Sequence, residues 1–217
     1  DGDGVDDTLD AFPNDAKLVA SGTYPSGLES VSANIRVWLD ASAKGASDAI
    51  LMEMDGSNNV SKWFDISGNG NHATQTTGAQ QATYIVDGVA GLPSVEFNQD
   101  NKDYYEMGVI GPQFPSAGTM VTIVEVGAES YTILSTQDNG QWSRYDTGAG
   151  YWGVFRNNRM NIFPTSMPNS GVHTMTARSS ATEYEVHVDG VVHVGTAEYS
   201  NGNGGTFNYK LGASLAD

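Results

Sequence analysis

An all-β sandwich is the fold class that this sequence predicts, and three observations predict it. Short runs alternate apolar and polar residues with a period of two, clusters of Gly, Asn, Asp and Ser punctuate them, and helical periodicity is weak. The length, 217 residues, suits one such sandwich plus a short appendage and is enough to bury a core.

The expected strands run over residues 35–39, 83–86, 94–97, 119–126, 131–134, 151–155, 172–177, 184–188, 191–194 and 206–211. Turn-forming clusters such as Gln137-Asp138-Asn139-Gly140 and Asn201-Gly202-Asn203-Gly204-Gly205 fall between them. A short helix is conceivable over residues 42–54, where Ala43, Ala46, Ala49 and Ile50 are loosely periodic, although Gly45 sits inside it. Val188-Asp189-Gly190-Val191 predicts a two-residue type I′ hairpin turn, because Asp-Gly separates two β-branched runs. Such a turn sets Val188 opposite Val191, Val186 opposite His193 and His187 opposite Val192. His187 and His193 would then lie on opposite faces and could not share a metal.

Ten Lys and Arg residues against 26 Asp and Glu leave a net charge of −16. A surface so acidic repels nucleic-acid phosphates and anionic membranes and favours cations such as calcium. No apolar run approaches the roughly 18 residues needed to span a bilayer, so membrane insertion is not expected. The absence of cysteine excludes disulfides and thiolate chemistry but leaves secretion open. With neither an initiating Met nor a signal-peptide pattern, the chain is expected to be a piece of a longer precursor.

The first fifteen residues differ from the rest, carrying six aspartates interspersed with glycines. Calcium takes roughly six to eight oxygen ligands from closely spaced carboxylates and a backbone carbonyl, with a glycine letting the loop turn. Aligned to the pattern D-x-D-x-D-G-x-x-D-x-x-D, Asp3-Gly4 supplies the central pair, Asp1 stands two positions earlier, Val5 offers its carbonyl, and Asp7 and Asp10 follow. With Phe12-Pro13-Asn14-Asp15 behind it, this segment resembles the end of a thrombospondin type 3 calcium repeat. The expected organisation is therefore a partial calcium repeat over 1–20, a Ser/Gly/Pro linker over 21–32, and a sandwich over 33–217.

Several stretches of the longer segment carry a second resemblance: Val37-Trp38-Leu39-Asp40-Ala41, Val60-Ser61-Lys62-Trp63-Phe64-Asp65, Ser67-Gly68-Asn69-Gly70-Asn71 with Ala73 and Gln75, Leu92-Pro93-Ser94-Val95-Glu96-Phe97, the Asp189-Gly190 turn and Leu211-Gly212-Ala213. In this order and spacing they resemble the concanavalin A-like (laminin G-like) jelly-roll domains of bacterial secreted proteins. The resemblance implies an extracellular or cell-surface recognition module, and within it Trp38 and Trp63 are framework residues. Family members usually continue beyond the Leu-Gly-Ala stretch with a strand that completes the sheet. A missing strand would leave an edge able to pair with a partner protein.

The expected ligand platform lies downstream, in Gln141-Trp142-Ser143-Arg144-Tyr145 and Tyr151-Trp152-Gly153-Val154-Phe155-Arg156. Aromatic faces of Trp142, Tyr145, Tyr151 and Trp152 suit sugar rings, and Arg144 and Arg156 suit hydroxyls or carboxylates, so the partner expected is a glycan or polysaccharide. Catalytic patterns are poor. Glu183-Tyr184-Glu185 sets two carboxylates on one face of a strand but lacks the third acid that related glycosidases carry, and a noncatalytic role is expected.

Overall fold

The computed structural model describes residues 34–45, 48–112, 118–126, 131–136, 141–146, 151–156, 159–163, 171–179, 183–196 and 206–212. Its elements are fifteen β-strands, all in antiparallel pairings where a register is defined, with single 3-10 turns at Gly78–Gln80 and Val89–Gly91. The all-β expectation holds. The chain divides into two compact units, Asp1–Glu96 and Phe97–Asp217.

The first unit contains β1 (Met52–Met54), β2 (Val60–Trp63) and β3 (Ala73–Thr74) in one sheet, and β4 (Thr83–Ile85) paired with β5 (Ser94–Glu96). Met52 opposes Trp63, which opposes Ala73, and the first and last of these are buried. Trp63 therefore belongs to the covered face, although both it and Trp38 are only half-buried. The apolar centre here is Leu51 packed on Phe64, with Ala43 and Ile66 against them.

The weak helical signal over residues 42–54 gives no helix among the described residues there. Asp40 accepts hydrogen bonds from the Ser42 amide and hydroxyl, which holds the chain in a side-chain-capped turn that competes with a helical start. Beyond it Lys44 bridges Ile50, the Leu51 amide donates to the Ala43 carbonyl, and residues 52–54 become β1. Residues 35–39, expected as a strand, join no ladder among the described residues: side chains of the 65–71 loop bond the Ile35 and Arg36 carbonyls and the Trp38 amide instead.

The second unit holds two antiparallel sheets. One has the order β6 (Tyr105–Pro112), β15 (Thr206–Leu211), β8 (Tyr131–Thr136), β9 (Gln141–Asp146), β10 (Tyr151–Arg156) and β11 (Arg159–Phe163); the other runs β14 (Val191–Thr196), β13 (Glu183–Val188), β12 (Gly171–Ser179), β7 (Gly118–Val126). Tyr105, Met107, Leu134 and Tyr209 from the first and Met175, Ala177, Val186 and Val188 from the second are buried. Alternation with a period of two is explicit in β12, where Met175 and Ala177 are each 1 % exposed and Val172 is 39 % exposed. Burying each large side chain contributes about 1.5–3 kcal/mol, so this alternation fixes which face is inward. Strands β6, β9 and β11 were not expected as strands; β6 and β9 mix Glu, Gly, Ser or Arg into short runs, and cross-strand pairing outweighs local preference there.

The β13–β14 hairpin forms as the sequence predicts. Asp189 and Gly190 both have positive φ, 50° and 81°, as a type I′ turn requires. Val186 opposes His193 and His187 opposes Val192, which places the two histidines on opposite faces.

Candidate functional site

The Asp65-to-Asn71 loop is a hydrogen-bonded hub. Asp65 is fully buried. One carboxylate oxygen accepts the Trp38 amide at 2.8 Å and the Ser67 amide at 2.9 Å; the other accepts the Ser67 hydroxyl at 2.8 Å and the Asn71 amide at 3.0 Å. Gly68 and Gly70, with φ of 86° and 70°, turn the chain so that these donors converge. The loop then reaches back. Asn69 donates to the Ile35 carbonyl at 2.7 Å and Asn71 to the Arg36 carbonyl at 2.8 Å, while the Ile66 amide donates to the Trp38 carbonyl. Side chains thus replace a β-ladder along residues 35–38, and the Ser-Gly-Asn-Gly-Asn block serves the architecture of this unit. His72 closes the loop by accepting the Asp65 amide at its Nδ1 and meeting the Phe64 ring edge-on.

The platform segments become the paired strands β9 and β10. Tyr151 opposes Asp146, Trp152 opposes Tyr145 and Gly153 opposes Arg144. The row continues on either side, since Tyr131 opposes Tyr145 and Phe163 opposes Trp152. Ser143, which shares the face of Tyr145, opposes the buried Leu134. By the β9–β10 register, positions 145, 152 and 156 share one face of the pair and positions 142, 144 and 151 the other. The six residues are brought onto adjacent strands, in two sets of three.

No family model matches the chain, and no curated protein matches it. Partial likenesses to solved structures exist. A GH54 α-L-arabinofuranosidase soaked with a cyclic sulfate inhibitor aligns with a TM-score of 0.43 and 14 % identity, covering 72 % of this chain and 44 % of that one. A Trypanosoma rangeli sialidase mutant displaying trans-sialidase activity gives a TM-score of 0.45 and 12 % identity, covering 85 % and 31 %, and the Trypanosoma rangeli sialidase gives 0.43 and 11 %, covering 85 % and 32 %. The chain spans under half the length of each.

The calcium candidates Asp1, Asp3, Val5, Asp7 and Asp10 lie outside the described residues, as does the boundary expected near residue 21. Of the acidic pair on β13, Glu185 is described in full: its carboxylate lies 3.7 Å from Arg178 and 3.4 Å from His187 Nε2. Among the described residues no group of three or more His, Cys, Asp or Glu side chains is arranged to hold a metal ion.

Two features escaped sequence reasoning. Asp189 reaches from its turn to β12, where its carboxylate meets His173 Nδ1 at 2.7 Å and accepts the Thr174 amide at 3.0 Å. The hydrogen bond from His173, then that from Thr174, holds the Asp189 carboxyl below the usual carboxylate range. Asp55 behaves alike: the Asn59 side chain, then the Asn59 and Ser57 amides, lower its pKa. The Asp-x-Ser spacing at 55–57, 65–67 and also 40–42 of the fold is a visible signal, since a carboxylate readily accepts the amide two residues on. The reach of Asp189 to another strand has no such local signature.

Proposed function

We propose that this chain is a noncatalytic, extracellular carbohydrate-recognition module, and that its ligand lies along β9 and β10 on the face that carries positions 142, 144 and 151. The observation that supports this most directly is the register: Trp142, Arg144 and Tyr151 fall together on one face of the β9–β10 pair. An aromatic pair with a guanidinium offers stacking surface and a planar donor to a sugar ring and its hydroxyls or carboxylates. Calcium bound by Asp1, Asp3, Val5, Asp7 and Asp10 belongs to the same reading, as a stiffener of the N-terminal segment.

The test is binding to a panel of immobilised polysaccharides by Trp142→Ala, Tyr151→Ala and Trp152→Ala variants. Loss of at least about tenfold in affinity, about 1.4 kcal/mol, is expected for the first two with little change in melting temperature. Trp152→Ala, on the other face of the pair, is expected to leave binding unchanged. Undiminished binding by the Trp142→Ala, Tyr151→Ala double variant would remove this site, and a folded chain that binds no glycan would favour a protein-interaction role.

A further inference from the structure

Strand β7 ends the smaller sheet of the second unit. It keeps an unbroken nine-residue register against β12, from Gly118 opposite Ser179 to Val126 opposite Gly171, and among the described residues no strand is hydrogen-bonded along its other side. Long edges usually carry a lysine, a proline or a bulge that discourages pairing. This one has none, and Glu125 is its sole charged residue. Its outward face exposes Val121 and Ile123, at 64 % and 68 %. On the inward face, beside the buried Met175, the Thr122 hydroxyl is shut away from solvent with no hydrogen-bond partner among the described residues.

We propose that β7 pairs antiparallel with β7 of a second copy of this chain, about a two-fold axis through Thr122, joining the two four-stranded sheets into one. The strand is self-complementary about that residue. All nine positions find partners only when the axis passes through Thr122, the centre of Gly118–Val126. Val121 then opposes the partner's Ile123, so the exposed aliphatic side chains of both copies form one row. Thr122 opposes the partner's Thr122, and paired threonines across strands hydrogen-bond one another, which gives the enclosed hydroxyl its partner. Glu125 opposes the partner's Thr119, whereas a slip that centred the pair on Glu125 would set two carboxylates face to face and is disfavoured. Such an isologous contact closes on itself and pairs the β7 edge of each copy. Because each copy carries a net charge of −16, added salt should strengthen the association.

The chain has no cysteine, so Thr122→Cys introduces one thiol at the axis. Directly opposed Cα atoms in an antiparallel pair lie about 4.5 or 5.5 Å apart, inside the roughly 4.4–6.8 Å range of disulfides. The two residues at position 119 would be separated by six steps of about 3.4 Å, about 20 Å. Mild oxidation should convert Thr122→Cys to a covalent dimer and leave Thr119→Cys monomeric on a non-reducing gel. Sedimentation velocity of the unaltered chain should show a concentration-dependent dimer that Ile123→Lys weakens at least tenfold. Since Ile123 is exposed, that variant should match the parent in circular dichroism, which keeps the test informative even where the cysteine variants fold poorly. The proposal falls if the unaltered chain stays monomeric at hundreds of micromolar or if Thr119→Cys cross-links as readily as Thr122→Cys. It falls equally if alternate β7 amides resist hydrogen exchange in the monomer, which would mean that the chain itself covers this edge.

Discussion

Replacing Asp65 with Ala should release residues 35–38 from the 65–71 loop. Four donors lose their acceptor: the amides of Trp38, Ser67 and Asn71 and the hydroxyl of Ser67. A buried donor left without a partner costs about 1–3 kcal/mol. Loop relaxation lets water reach some of these groups, so about 1–1.5 kcal/mol each is the appropriate scale, and four of them amount to about 4–6 kcal/mol. That is comparable with the whole stability of many domains, about 5–15 kcal/mol. Asp65→Asn separates charge and acceptor number from volume. Its amide keeps one acceptor oxygen and turns an NH2 group toward the other two donors, so roughly half the loss, about 2–3 kcal/mol, is expected. Urea denaturation measures the sum, and hydrogen exchange at the Trp38 and Asn71 amides locates it. Wild-type exchange at both amides in Asp65→Ala, with an unchanged urea midpoint, would refute the assignment of Asp65 as the clamp.

The remaining predictions concern other parts of the fold. Gly212 has a φ of 87°, and a Cβ there would collide with the Phe97 ring; Gly190 has a φ of 81° but open space around it. Gly190→Ala should cost only the backbone penalty of about 1–2 kcal/mol, while Gly212→Ala adds an overpacking cost of about 1–3 kcal/mol, a difference readable in paired urea melts. Because the Asp189 carboxyl is held below its ordinary pKa, its contribution is present above the unfolded value near 3.8 and is lost as pH falls through the lower folded value. Acid titrations of thermal stability should therefore fall less steeply in Asp189→Asn below about pH 4 than in the parent. A calcium-loaded N-terminal segment should lose protection against proteolysis when a chelator is added, and an unchanged digestion pattern would count against calcium there.

Much of the β architecture was legible in the sequence because alternation and turn chemistry are local. Residues 119–126, 172–177 and 184–194 carry dense β-branched runs, and Asp189-Gly190 permits the positive φ of its turn without strain elsewhere. Residues 42–54 carry only a weak helical period in their alanines, and Asp40 and the bridge from Lys44 to Ile50 hold a different path. The candidate platform was legible as a concentration of aromatic and arginine residues. Its division into two faces was not, because the parity of β9 against β10 depends on which residues pair across the turn.

By itself the sequence determined the all-β class, the hairpin at Asp189-Gly190 and the opposite placement of His187 and His193. Each depends on the conformations open to a few neighbouring residues. Only the tertiary structure decided that Asp65 gathers donors from residues 38, 67 and 71, that Asp189 ties its turn to His173 and Thr174, and that β7 forms the end of a sheet. These are meetings between segments up to dozens of residues apart, and what sets them is the burial of one face of every strand, a condition that the whole chain satisfies together.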